Sequence, residues 1–225
     1  MRTVLDAQEH EKEAVLGRLA MLGLVYEDLE YVLRGADAEA RMWTEAAPPT
    51  MAGLARWGKT SELLRRRLMP RGWLQDDWKG LPRTVSPERD FAIVATSGDA
   101  GTGLPGTSPA NRNPKGTETL KAIGRNLQLA FEFGGRFASG PDRMRHPEET
   151  WLLLYYAAPE ALRAELSLPR DITPAGYVTS WQERILLPAI ESPEFDIAHA
   201  WGTASVGGTA DVTVSVEKHQ MALPR

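Results

Sequence analysis

The sequence predicts an α+β protein, a helical N-terminal part followed by an antiparallel β-meander with one or more packed helices. Three observations carry that expectation. Up to Leu68, apolar residues recur at three- and four-residue intervals, the spacing of one face of an α-helix. From Thr117 to Phe133, Leu120, Ile123, Leu127 and Phe131 share one helical face. After residue 160 the period falls to two: Leu162, Ala164, Leu166 and Leu168 alternate with Arg163, Glu165 and Ser167, as in a strand with one wet face.

Taken in order, Val4, Leu5, Val15, Leu16, Leu19 and Leu22 outline a first helix that Gly23 stops. Residues 27–33 give a second with Gly35 after it, and residues 37–43 a third, before Pro48-Pro49 breaks the pattern. Thr60 to Leu68 is a further helix with Thr60 as N-cap, ended by Gly72. The apolar run Phe91–Thr96 is a strand. Trp151–Tyr156 is a continuous apolar run suited to a strand covered on both faces. Tyr177–Leu187 supplies a further strand pair, and Val212, Val214 and Val216 alternate near the C-terminus. Residues 140–149 are polar and expected to be loop. The whole of 1–225 is expected to form one continuous domain, with a sub-division into 1–85 and 86–225 as the alternative.

Hydrophobic content of 42% and charged content of 25% are those of an ordinary globular protein. No apolar run is long enough to span a bilayer. The N-terminus lacks a signal-peptide pattern and cysteine is absent, so a cytoplasmic location without membrane contact is the expectation. Arginine outnumbers lysine 20 to 6, a bias associated with GC-rich bacterial or phage genomes. The net charge of −4 is uneven, with −5 over 1–50, +7 over 51–145 and −6 over 146–225. A basic centre between acidic flanks points to an anionic partner or to internal pairing.

Residues Gly53 to Thr60 match G-x4-G-K-[ST], the phosphate-cradling P-loop spacing. That chemistry needs a buried strand feeding the loop, and Glu45-Ala-Ala-Pro-Pro-Thr50 cannot be one. The same segment fits a helix-turn-helix, with helices at 49–57 and 60–68 and a turn at Gly58. Arg56, Lys59, Arg65, Arg66, Arg67 and Arg71 would then face phosphates, joined by Arg112 and Lys115, with Trp57, Trp73 and Trp78 interleaved for stacking.

Residues 96–116 (TSGDAGTGLPGTSPANRNPKG) form a long glycine-rich stretch between a strand and a helix. Loops of this length inside a domain are usually functional or disordered. Ser97, Gly98, Asp99, Gly101 and Gly103 are its candidate site residues, a cradle for phosphate if their amides are free. The four histidines are scattered; a zinc site from Asp196, His199, Asp211 and His219 is conceivable, but no spacing requires it. Glu165 and Glu183 could oppose each other across a sheet as an acid–base pair, or pair with Arg163 and Arg184.

No nucleophile–base pair, metal cluster or cofactor fingerprint stands out, so neither cofactor nor metal is expected and catalysis is disfavoured. The expectation is a non-enzymatic bacterial or phage protein that binds nucleic acid or a nucleoprotein complex through its basic centre. The alternatives are a phosphate- or nucleotide-handling enzyme built on 96–116 and an adaptor that contacts a protein partner.

Overall fold

A computed structural model describes residues 2–132 and 149–191. Three helices come first: α1 (Arg2–Met21), α2 (Tyr26–Arg41) and α3 (Met51–Leu68). The first ends as Gly23 predicts, with the Leu24 amide donating back to Leu19 O at 2.9 Å. Leu19 is fully buried, whereas the side chains of Val4 and Leu5 lie outside the described residues.

Where the sequence predicts two helices, 27–33 and 37–43, there is one. Gly35 lies inside α2 because α3 crosses there: a Cβ at Gly35 would come within 2.6 Å of Leu63 Cδ1. Helix α3 likewise runs unbroken through Gly58. Thr60 is no N-cap; its hydroxyl donates to Arg56 O at 2.7 Å inside the helix. Neither the helix-turn-helix nor the P-loop geometry is present, since Gly53–Thr60 is continuous helix.

Seven strands among the described residues form one sheet: β1 (Leu74–Trp78), β2 (Leu81–Val85), β3 (Phe91–Ser97), β4 (Glu149–Ala157), β5 (Ala161–Ile172), β6 (Val178–Leu186) and β7 (Ile190–Glu191). The first six lie side by side in chain order, and β7 pairs with β5. All pairings are antiparallel except β3 with β4, which run parallel because α4 (Thr117–Glu132) lies in the connection between them. The protein is therefore α+β, with one parallel step inside the expected meander.

The β1–β2 hairpin is absent from the sequence expectation. Its turn, Lys79-Gly80, has positive φ at both residues, as a two-residue type I′ turn requires. The strand Leu-Gln-Asp-Asp-Trp is too polar to show alternation. The segment 177–187 is one strand rather than a pair, and the valine alternation at 212–216 lies outside the described residues.

Both sheet faces are covered, which explains the continuous apolar run of β4. Phe91, Ile93, Trp151, Leu153, Tyr155, Leu166 and Ile185 pack with Leu19, Leu29, Leu33, Leu64 and Leu68 of the helices. On the other face Val94, Leu152, Leu154 and Val178 pack with Ala122 and Ile123 of α4. The described residues belong to a single unit, 1–192. No helix among them is long and apolar enough to cross a membrane.

One polar residue docks α4. Pro169 in β5 has no N–H to give β4, and the register places it opposite Thr150, beyond the last β4–β5 pair, Leu152↔Ser167. Asn126 fills the gap: its amide donates to Thr150 O at 2.9 Å and Pro169 O at 3.2 Å, and its oxygen accepts the Thr150 amide at 2.8 Å. Asn126→Leu orphans these buried groups and is expected to cost on the order of 3 kcal/mol in denaturant unfolding; a loss under about 0.5 kcal/mol would show the repair to be dispensable.

Candidate functional site

The predicted site residues fall into two places, the outer face of α3 and the connection between β3 and α4. Six of the basic candidates lie on α3 and the turn after it, against a single acid, Glu62. Helix α2 has the opposite balance, with Glu27, Asp28, Glu30, Asp37 and Glu39 against Arg34 and Arg41. The two helices are drawn together accordingly.

Asp37 accepts Arg56 Nη2 at 2.8 Å on one oxygen and Arg41 Nε at 2.6 Å on the other. Asp28 sits 3.0 Å from Arg67 Nε and 2.5 Å from Arg71 Nη2; its Oδ2 has no aligned hydrogen bond, so the second contact is one of charge. Glu62 takes Lys59 at 3.0 Å and Arg66 at 3.2 Å, and these donors, Lys59 first, hold its carboxyl below the usual range. Arg65 reaches across to Asp77 at 2.5 Å and lowers that carboxyl too.

Arg56 and Arg65 turn inward, with side chains 18% and 14% exposed, whereas Arg66 remains 69% exposed and Arg67 and Arg71 44% each. Arg67 also lies over the exposed Tyr31 ring, 4.6 Å from its centroid. Trp73 is buried against Phe91, while Trp57 and Trp78 remain partly exposed.

The second place is ordered by its own contacts. From Gly98 to Leu104 every amide except that of Ala100 donates within the protein. Gly98 binds Tyr155 O, Asp99 binds Ala110 O, Thr102 binds Asp99 O and Leu104 binds Gly101 O. The carboxylate of Asp99 accepts the Gly101 and Ala110 amides, both at 2.9 Å, and the Gly103 amide donates to Glu165 at 2.8 Å. Ser97 contributes its carbonyl, which accepts the Arg112 amide. The glycines therefore shape a closed loop, and these amides are not free to cradle a phosphate.

Glu165 is the anchor. Fully buried, it also accepts the Ser167 hydroxyl at 2.8 Å and Arg184 Nη2 at 2.5 Å, and the other end of Arg184 donates to Thr107 O. It does not oppose Glu183, which sits on the helical side bound by Arg18 at 2.6 Å. Nor is its face of β5 wet, because the loop covers it. Arg163 pairs with neither glutamate but donates to Ala100 O at 2.9 Å.

Arg112 is exposed and forms no ion pair among the described residues. Lys115 is different. Its ammonium donates to the Thr96 hydroxyl, and burial lowers its pKa from 10.5 to about 8. Asn111, missed from sequence because an Asn in a loop gives no signal, holds this corner. Its amide donates to Asn113 O at 2.6 Å and Gly176 O at 2.8 Å, and its oxygen accepts the Val178 amide at 2.8 Å.

No group of His, Asp and Glu able to hold a metal occurs among the described residues; the residues of the conceivable zinc site, Asp196, His199, Asp211 and His219, lie outside them. Compared with known proteins, the chain matches no family model, no curated protein and no solved structure. The class the geometry defines is thus an α+β protein with a cation-rich helical face and a tightly bound crossover loop.

Glu165→Gln would set an amide donor among Arg184, Ser167 and the Gly103 N–H. A loss of about 3 kcal/mol is expected, with faster hydrogen exchange at Gly103; unchanged exchange there would show that Glu165 does not hold the loop. Lys115 gives a pH signature. Below pH 8 both folded and unfolded chains carry its proton, and folding bears the whole cost of desolvating the ammonium. Between about 8 and 10.5 only the unfolded chain holds that proton, so stability rises with pH across this window. Lys115→Met should stabilise the protein at pH 7 by up to about 3 kcal/mol and remove that rise, read as the wild-type-minus-variant difference in urea unfolding.

Proposed function

We propose that the protein is a non-enzymatic binding protein that engages nucleic acid, free or within a nucleoprotein complex, through the outer face of α3. The observation that carries this reading is the sharing of carboxylates. Asp28, Asp37 and Glu62 each serve two cations, so at these three places internal pairing halves the positive charge rather than cancelling it, while Arg65 is matched by Asp77. It also fixes the side chains in place, which lowers the ordering cost of meeting a phosphate. Exposed ion pairs such as Glu62–Arg66 are weak, and a phosphate can take over the arginine. Tyr31 and Trp57 add exposed aromatic surface of the kind on which bases stack.

Binding of this type weakens with salt, by a slope of roughly −0.7 to −0.9 in log K against log salt for each phosphate contacted. Fluorescence anisotropy on single- and double-stranded oligonucleotides at low salt is the test. Arg66→Ala combined with Arg71→Ala, which leaves Arg67 on Asp28, should weaken binding across all sequences and reduce the slope by about 1 to 2. No binding of either oligonucleotide by the parent protein would end this reading.

A protein partner is the second reading, favoured by the exposed Met42, Trp43, Leu54 and Trp57 around the α2–α3 connection. Loss of a co-purifying partner in Leu54→Asp, with oligonucleotide binding absent throughout, would select it.

A further inference from the structure

The cations of the α3 face are not carried on a free-standing helix. Asp28 meets Arg67 and Arg71 while Asp37 meets Arg56, so α2 and α3 lie side by side and run in opposite directions. They approach so closely that a Cβ at Gly35 would come within 2.6 Å of Leu63 Cδ1. Arg65 ties α3 down to Asp77 of β1. Two helices about 8–10 Å apart, each about 10 Å across, present a surface roughly 20 Å wide. The major groove of duplex DNA, about 12 Å wide, admits one helix. Arg67 and Arg71 stand on the seam with α2, so a duplex meets them only through its outer phosphates.

At the end of that seam one carboxylate assembles a different kind of surface. Buried Asp28 lies 3.0 Å from Arg67 Nε and 2.5 Å from Arg71 Nη2. Its Oδ2 accepts no aligned hydrogen bond, so Arg71 is held by charge and keeps its donors for another acceptor. Arg67, fixed by the same acid, places its guanidinium carbon 4.6 Å from the centroid of the Tyr31 ring. That ring comes from α2 and stays 52% exposed. An open aromatic ring backed by a guanidinium accepts any base, because every base has a π-face. Arg71 supplies a forked donor for the adjoining phosphate. Within a duplex the bases are stacked on one another, and one reaches such a ring only after it is unstacked and unpaired.

We propose that the end of the α2–α3 seam is a single-strand subsite, in which a base stacks on the Tyr31–Arg67 pair and the neighbouring phosphate takes the donors of Arg71. This rests on the nucleic-acid reading of the α3 face and narrows its ligand to single-stranded DNA or RNA. Asp28 is a positioning residue that acts through the two guanidiniums. Because two cations share that acid, the subsite keeps one net positive charge to set against one phosphate. Tyr31 adds affinity that salt does not screen, since a stacked base releases no counterion.

The test is fluorescence anisotropy of the full-length chain with labelled oligonucleotides of one length: an unstructured single strand, as DNA and as RNA, its duplex, and a strand of abasic residues. At equal salt the single strand, in either form, is expected to bind at least roughly fivefold more tightly than the duplex or the abasic strand. Tyr31→Ala should weaken single-strand binding by roughly fivefold to a hundredfold, leave the salt slope unchanged and cut the preference over the abasic strand by the same factor. Tyr31→Phe should bind like the parent. The subsite is overturned by a duplex or an abasic strand bound as tightly as the single strand. It is equally overturned by a Tyr31→Ala variant that binds like the parent or acts only by lowering the salt slope. Each of these outcomes leaves the nucleic-acid reading of α3 in place, whereas no binding of any oligonucleotide ends both.

Discussion

A carboxylate with no access to water organises the centre of this molecule. Charged Glu165 can be buried in β5 only because Arg184, Ser167 and the Gly103 amide meet it together. Each of those partners does further work. Arg184 crosses from β6 to the carbonyl of Thr107, and Gly103 is one of the points at which the β3–α4 connection touches the sheet. Satisfying one buried charge therefore converts a long glycine-rich stretch into fixed structure. The loop in turn brings Asn111 and Lys115 to the β5–β6 turn, so the corner that holds Lys115 inherits its geometry from Glu165.

The helical layer solves a different electrostatic problem by a cheaper route. Helices α2 and α3 carry opposite charge balances, and their contact pairs Arg56 with Asp37 and Arg67 with Asp28, while Lys59 and Arg66 share Glu62 within α3 and Arg65 reaches Asp77 of β1. Pairing is not neutralisation, however, because the number of carboxylates sets what remains. Two cations on one acid leave a net positive charge at each of three places, held in defined geometry by contacts of modest individual strength. Such a face is ordered yet open to competition from a stronger anion.

Much of the fold was legible in the sequence. Periodicity located α1 and α4, and continuous apolar runs located β3 and β4, whose two faces are both buried. It failed where a neighbour's approach overrode local signals. Gly35 and Gly58 looked like helix stops, yet Gly35 is small so that Leu63 can fit against α2. Alternation in β5 correctly gave a strand but assigned Glu165 and Ser167 to a wet face, since nothing local announces that a loop sixty residues earlier will cover them. The β1–β2 hairpin, with its aspartates and Lys-Gly turn, had no apolar stripe to reveal it. The site was legible only as composition: the basic cluster could be seen, but not which carboxylates would share it.

The sheet keeps the two candidate sites apart. α3 rests on the face that contains Trp151 and Leu153, whereas Thr96 and Lys115 lie on the side of Leu152 and Leu154, where α4 packs. Between them stands a layer of strands whose side chains are committed in both directions and close-packed, so neither site can borrow residues from the other. The cost of burying Lys115 is also not offset by the α3 ion pairs, which involve separate groups. On that opposite face Asn111 and Gly176 hold the Lys115 backbone, and Thr96 is the partner of its ammonium among the described residues. The two places are therefore energetically independent, and a substitution at one is expected to leave the geometry of the other unchanged.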